Sequence, residues 1–495
     1  MNPDRSIRTV AVVGGGIVGL SAALAFVRAL PRVRVEIVVT PADPAALADR
    51  LPSTLPPVGR FHAAIGLNEL DLVRDGVATH RLATRFENWS ASGRPWYHAF
   101  GDYGLSAAGV AFHQLWVRAR GDGGVRPFHE FCAAAMLAQD GKFVHPSHEP
   151  DSPLSTFLYA LRLDPERYRR RLTAEAERLR VTFSDGAIAE PERRQDGGVA
   201  ALRLADGRRI EADLYIDCSG PSAALASHLG EEFEDWSECL PCDRLLLAVE
   251  PGDGLPSPCD LAIAAPSGWR WEAPLPDRRL AGFAYAGSIT DEAAARREFG
   301  GEAAEAVEIR PGRRPQPWVA NVLALGDAAI AVDPLEGTNL HLAQSAILRA
   351  LELLPGRDCH ALELREYNRR TEQETRRVRD FLALHYLRAG RTKGRFWRPM
   401  RERKVPDGLA HTLEQFEARG RLPFYEEETF DKHSWLAVLL GMGVIPRGVE
   451  PAAGAVDPAQ AAAAMERLAG RIAAATQRLP GYRDYLANMA RAPSR

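Results

Sequence analysis

The sequence predicts an α/β (α+β) fold: a Rossmann-like dinucleotide-binding module with an inserted strand-rich region, followed by a mostly helical carboxy-terminal part. Three observations predict it. Near the start, a buried strand, the glycine turn Gly14-x-Gly16-x-x-Gly19 and an alanine-rich helix follow one another without interruption. Strand-like runs punctuated by proline and glycine fill the middle, from about Pro191 to Gly287. Helical periodicity takes over after Asn339. With 495 residues, 46% of them hydrophobic, the chain can bury a sizeable core in two coupled modules. The expected division is 1–355 for the dinucleotide module with its inserted sheet and 356–495 for the helical part.

Taken in order, Arg8 to Val13 reads as a buried parallel strand and Ile17 to Leu30 as a helix packed closely on the sheet. Val33 to Val39 clusters β-branched residues as a second strand and ends at Thr40-Pro41. Apolar residues recur at helical spacing over 339–354 and 361–387. A basic, poorly periodic connector covers Arg391 to Arg403, and Ala452 to Ala475 has the composition of an ordinary packing helix. No internal repeat is visible.

Composition narrows the partner class. A formal net charge of -3, with both signs spread along the chain, gives no electrostatic reason to expect nucleic acid or an anionic membrane. Residues 9–30 are apolar, but Gly14, Gly15, Gly16 and Gly19 interrupt them, so a nucleotide-binding unit explains them better than a signal or a span. Six scattered cysteines suit a reducing, cytoplasmic setting. Cys239 and Cys242 have C-x-x-C spacing without a partner pair, so packing is expected there and no metal site. The expected ligand is a small molecule.

Three separated segments point to the cofactor. Gly14, Gly16 and Gly19 bring bare amides at a helix N-terminus close to a pyrophosphate. Leu214 to Gly220 reads as a strand and turn returning to the nucleotide, or as an ordinary strand end. Leu323 to Ala329 is a buried strand ending in Gly326-Asp327, where a carboxylate can accept hydrogen bonds from the ribityl chain of FAD. In this order the three predict an FAD fold. The acid that usually ends the second strand and holds the ribose is replaced by Thr40, with Asp43 the available substitute.

Gly268-Trp269-Arg270-Trp271-Glu272-Ala273-Pro274 then stands out. Spacing i and i+2 on a strand puts both indoles on one face, where they can wall a water-poor passage or simply form an aromatic core pair. The segment resembles the GWxWxIP signature of flavin-dependent tryptophan halogenases, with Ala273 in place of isoleucine. Asp333-Pro334-Leu335-Glu336-Gly337-Thr338 resembles that family's (D/E)PLEST loop, with Gly337 in place of serine and Asn339 next. Pro52 to Pro56, containing Thr54, is similar to its GEATxP flavin loop without the Gly-Glu. Trp96 to Gly101, containing His98 and Phe100, is similar to its YHxFG pocket segment, and His385-Tyr386, Phe396-Trp397 and Ser434-Trp435 resemble later landmarks.

The resemblance implies FAD, used as FADH2, with O2 and chloride or bromide. It also implies a separate NAD(P)H-dependent flavin reductase, a small aromatic or indole substrate, and a homodimer as one assembly open to the chain. It gives Glu336 the contact with substrate and reactive halogen species, Thr338 and Asn339 the halide, and Trp269, Trp271, His98 and Phe100 the tunnel and pocket. One departure matters most. Ala78 to Trp89 is similar to the family's ATFKLGIRFEDW, and Arg81 falls on its lysine.

The chain has four lysines against 58 arginines, so part of this change is compositional. A buried lysine can lose its proton and act as a nucleophile, whereas a guanidinium stays charged and donates from a rigid fork. Arg81 can therefore polarise a hypohalous acid or close an ion pair with Glu336, but is a poor carrier of halogen. Three readings stay open: halogenation, a flavin monooxygenase or oxidase that uses no halide, and a non-catalytic flavin-binding relative.

Overall fold

The computed structural model describes residues 6–106, 109–121, 125–230, 232–252, 256–301, 303–391 and 393–491. Positions 231, 253–255 and 392, inside the expected strand-rich region and basic connector, lie outside them. The chain alternates between two compact units: residues 1–78, 163–237 and 307–376 form unit 1, and 79–162, 238–306 and 377–495 form unit 2. The sequence had placed one division near residue 355. That position falls inside the third segment of unit 1, 307–376, and the chain passes between the units at several other points.

Unit 1 is the α/β body expected from the sequence. Its sheet runs Trp318–Val319, Val322–Ala324, Leu214–Asp217, β1 (Thr9–Val13), β2 (Arg34–Val39) and Thr182–Asp185. All neighbours are parallel except the Trp318–Val319 edge. Helix α1 (Ile17–Ala29) returns from β1 with its first ten residues buried, which the run Ile17-Val18-Gly19-Leu20-Ser21-Ala22-Ala23 permits because small side chains let it lie close to the strands. Strand order reverses at β1, between β2 and Leu214–Asp217, which is where open α/β sheets bind ligands.

Unit 2 is built on a mainly antiparallel sheet, in the order Arg244–Pro251, Arg278–Tyr285, Gly268–Pro274, Cys259–Ala265, Ala83–Glu87 and Trp96–Ala99. Among the pairs of these six strands, only Cys259–Ala265 with Ala83–Glu87 is parallel. Its helices include Lys432–Gly441 and Pro458–Gln477. The single helix expected over 452–475 is two, Pro451–Ala455 and Pro458–Gln477. Asp457 caps the second by accepting from Gln460 N, and Pro458 fits the first helical turn, where its missing N–H costs nothing. Among the described residues no helix is long and apolar enough to cross a membrane.

Candidate active site

In unit 1 the three segments singled out in the sequence emerge from adjacent parallel strands. Val13 pairs with Asp217, and Asp217 with Ala324, so the Gly14 turn, the Cys218-Ser219 turn and Gly326-Asp327 leave the same edge of the sheet. Gly14 has φ +114°, and a Cβ on it would collide with Cys218 O; one on Gly19 would collide with Gly14 O. These glycines are required by close packing of the backbone. Gly326 is also left-handed, at φ +59°, with Val18 Cγ1 3.1 Å from where its Cβ would stand.

The acids at this edge have distinct tasks. Asp217 is fully buried and accepts from Ser219 N and Oγ, Leu225 N and Ala226 N, which makes it the organiser of its own turn. Asp43 accepts from Ala45 N and closes a local turn. Asp327 accepts from Ala48 N at 2.8 Å. Burial, with Asp49 nearby, pushes its carboxyl up to about 8, so it is largely protonated at neutral pH. Asp49, which the sequence did not single out, accepts from Val18 N at 2.8 Å at the start of α1. The Asp49 carboxylate thus lies against the bare side of Gly16 in the glycine turn. Thr54 is buried in the same unit.

The loop carrying Glu336 is also in unit 1. Glu336 is 3% exposed and left-handed at φ 62°, a conformation that a glutamate holds only when its surroundings impose it. Gly337 follows at φ +70°, and its Cβ would stand 2.8 Å from Ser53 Cβ. That explains why glycine replaces the family's serine here. Leu335 N donates to Asp333 Oδ1 and Asn339 Nδ2 to Val332 O, fixing both ends of the loop. Thr338 Oγ1 and Asn339 Oδ1 are buried with no hydrogen-bond partner among the described residues. The Thr338 hydroxyl is a donor with capacity for an anion.

In unit 2 the strand register resolves the tryptophan pair. Trp269 pairs with Ala264 and Ala284, and Trp271 with Ala262 and Gly282, so both indoles share one face with Phe86, Trp96, Thr84 and His98. Small residues opposite the indoles make the room: a Cβ on Gly282 would stand 2.5 Å from Trp271 Nε1. Trp269 is buried and donates to Tyr386 Oη at 2.9 Å, while Trp271 is half-buried, its Nε1 without a partner among the described residues. The family landmarks converge here. His385 lies against Phe86, Trp397 stacks edge-on to Trp89, and His98 sits among Phe100, Phe381 and Phe430. The opposite face is ionic, Arg270 and Arg279 each pairing with both Glu250 and Glu272.

Arg81 is 1% exposed. Its Nε lies 2.6 Å from Asp260 Oδ2, a terminal nitrogen donates to Thr84 Oγ1 at 2.7 Å, and the guanidinium carbon is 5.0 Å from the Phe100 ring centre. Asp260 is shared with Arg162, whose Nε is 2.6 Å from Oδ1 and whose other nitrogens donate to Pro274 O, Ser257 O and Thr79 Oγ1. The Asp260 carboxylate thus lies between two guanidiniums. The sequence does carry a signal for Asp260. In Cys259-Asp260-Leu261-Ala262-Ile263-Ala264 it alternates onto the face of two buried alanines, where a carboxylate needs a cation. Arg162 and Asp49 carried none.

Comparison with known proteins agrees with this architecture. The family model described as tryptophan halogenase matches residues 9–458. The chain is 28% identical to the tryptophan 6-halogenase SttH of Streptomyces toxytricini, over 99% of this chain and 98% of that one. Among solved structures it is similar to BrvH, a flavin-dependent halogenase from Brevundimonas sp. BAL3, at 34% identity and TM-score 0.92, covering 98% and 99% of the two chains. It is similar also to Xcc4156, a flavin-dependent halogenase from Xanthomonas campestris, at 32% identity and TM-score 0.92, covering 99% and 100%. The glycine edge of unit 1, the tryptophan face of unit 2 and a match spanning nearly the whole chain lead to one statement: the chain belongs to the tryptophan halogenase family, whose flavin-dependent enzymes use FADH2, O2 and halide.

Proposed function

We propose that the chain is an FADH2- and O2-dependent enzyme that halogenates an electron-rich aromatic of the indole or phenol type, with Arg81 as a fixed hydrogen-bond donor in place of a nucleophilic amine. The observation that carries this is the clamp of Arg81 on Asp260 and Thr84. A guanidinium so held neither loses its proton nor swings to carry a halogen. It can donate to the oxygen of a hypohalous acid, and a donor held inside the protein polarises that oxygen more strongly than one in water. Reduced flavin, when bound, supplies the activation of O2 that oxidises the halide.

The remaining roles follow from the side chains. Trp269 and Trp271 would exclude water from the path of the oxidant. The Thr338 hydroxyl and the backbone at Asn339 would hold halide. Glu336, a carboxylate fixed by its loop, would accept the proton that the aromatic ring loses on substitution. A separate NAD(P)H-dependent flavin reductase would deliver the reduced cofactor. The replacement of lysine by Arg81 also favours a second reading, insertion of oxygen without halide.

Mass spectrometry of an indole and phenol panel incubated with FADH2, O2 and bromide separates these readings. A product heavier by bromine supports the first, one heavier by oxygen alone replaces it with the second, and an unchanged panel defeats both.

A further inference from the structure

The seat that unit 1 offers to a dinucleotide phosphate already holds an anion belonging to the chain. The short turn Leu47–Asp49 delivers the Asp49 carboxylate to the start of α1, where Oδ1 accepts from Val18 N at 2.8 Å. A Cβ on Gly16 would collide with both oxygens of this carboxylate, so the group packs on the bare side of the glycine that a pyrophosphate must approach. Helix α1 has no acid in its own first turn, and Gly16, its N-cap, has no side chain, so its amide dipoles are answered from the loop. Asp327 fastens the same loop by accepting from Ala48 N.

We propose that Asp49 is an internal competitor for the flavin's pyrophosphate, so that the cofactor binds only by driving this carboxylate off the amides of α1, and Asp49 thereby sets flavin affinity. The proposal rests on the reading of unit 1 as the flavin seat. Both groups are anions, both require the same N–H donors, and a carboxylate left beside a bound pyrophosphate would repel it in a poorly solvated place. The charged and titratable groups facing Asp49 are Arg169 of the helix Pro165–Arg178, Asp327 of the turn Gly326–Ala328, and Cys218 beyond the strand Leu214–Asp217. Burial raises Asp49 to about 6 against the opposing pull of the Val18 and Ile17 amides and of Arg169. Acidification through that range neutralises the competitor.

The test is a titration with oxidised FAD, followed by flavin fluorescence, on the wild type, Asp49→Gly, Asp49→Asn, Gly16→Val and the Asp49→Gly/Gly16→Val double variant. Asp49→Gly is expected to lower the Kd about tenfold or more at pH 8, the scale of one well-placed charge at a helix N-terminus. The wild type is expected to tighten more steeply than Asp49→Gly as pH falls from 8 to 5.5, the slope left in the variant belonging to Asp327. An Asp49→Gly protein that binds FAD no better than wild type, or equal pH slopes, overturns the proposal. If Gly16→Val still abolishes binding in that case, the flavin seat stands and only the competitor is lost. If the double variant binds as tightly as Asp49→Gly, flavin sits elsewhere and both fall. Should Asp49→Gly fail to fold in a thermal scan, Asp49→Asn makes the same comparison, because it keeps an acceptor for Val18 N without the charge.

Discussion

Arg81 and Asp260 form a buried ion pair, 2.6 Å between Nε and Oδ2, with side chains 1% and 8% exposed. The partner of Arg81 therefore comes from a strand distant along the chain and is shared with Arg162.

Asp260→Asn should be costly. It leaves two buried guanidiniums facing a neutral amide, and losing one partner of such a cluster typically costs about 3–5 kcal/mol. Urea unfolding should show a loss of that size. A loss under about 1 kcal/mol would mean that the pair is far wetter than its burial indicates.

Arg81→Lys should not restore an amine's chemistry. The new ammonium would stay paired with Asp260, which disfavours its deprotonation, and the bond to Thr84 would be lost. Turnover on an accepted aromatic should fall about tenfold, the scale of one charge-assisted hydrogen bond in a transition state. A rise in brominated product would show instead that a missing amine limits the enzyme.

Gly337→Ser, which writes the family's usual residue into the loop, should destabilise the protein by about 1–3 kcal/mol, because a side chain there meets both a left-handed backbone and Ser53. Calorimetry checks this. Gly282→Ala, by contrast, should displace Trp271 and lower kcat/KM about tenfold, leaving the FAD Kd unchanged. A parallel loss of flavin affinity would show that this position serves the fold and not the substrate face.

Asp327 should make stability fall as pH rises. Its folded carboxyl titrates near 8 against an ordinary value of 3.8, so the folded state holds a proton that the unfolded chain has released. That contribution is full below the unfolded value and is lost as pH climbs through about 8. Between pH 7 and 8, wild type should lose up to about 1 kcal/mol relative to Asp327→Asn, a comparison in which buried His62, held down near 4 in both proteins, cancels. Matched urea midpoints at the two pH values for both proteins test it, and equal slopes would contradict the burial.

Local pattern made much of this architecture legible. The strand, glycine turn and small-residue helix at 9–29 depend on neighbours within thirty residues, and the shared face of Trp269 and Trp271 follows from strand periodicity alone. The order of the glycine turn, Gly326-Asp327 and the tryptophan pair pointed to the family because each segment keeps its own steric requirement. The break at Pro458 is hidden by alanine composition, although Asp457-Pro458 is itself a helix-start signal.

By itself, then, the sequence determined the fold class, the glycine turn after the first strand and the aromatic face, since glycine sterics and side-chain alternation act over short stretches of chain. Only the tertiary structure decided what the charges do: that Arg81 and Arg162 share Asp260, that Asp49 reaches Val18 N, and that Asp217 ties its own turn. A buried charge is governed by whichever partner the fold brings within a few ångströms, and spacing along the chain does not specify that partner.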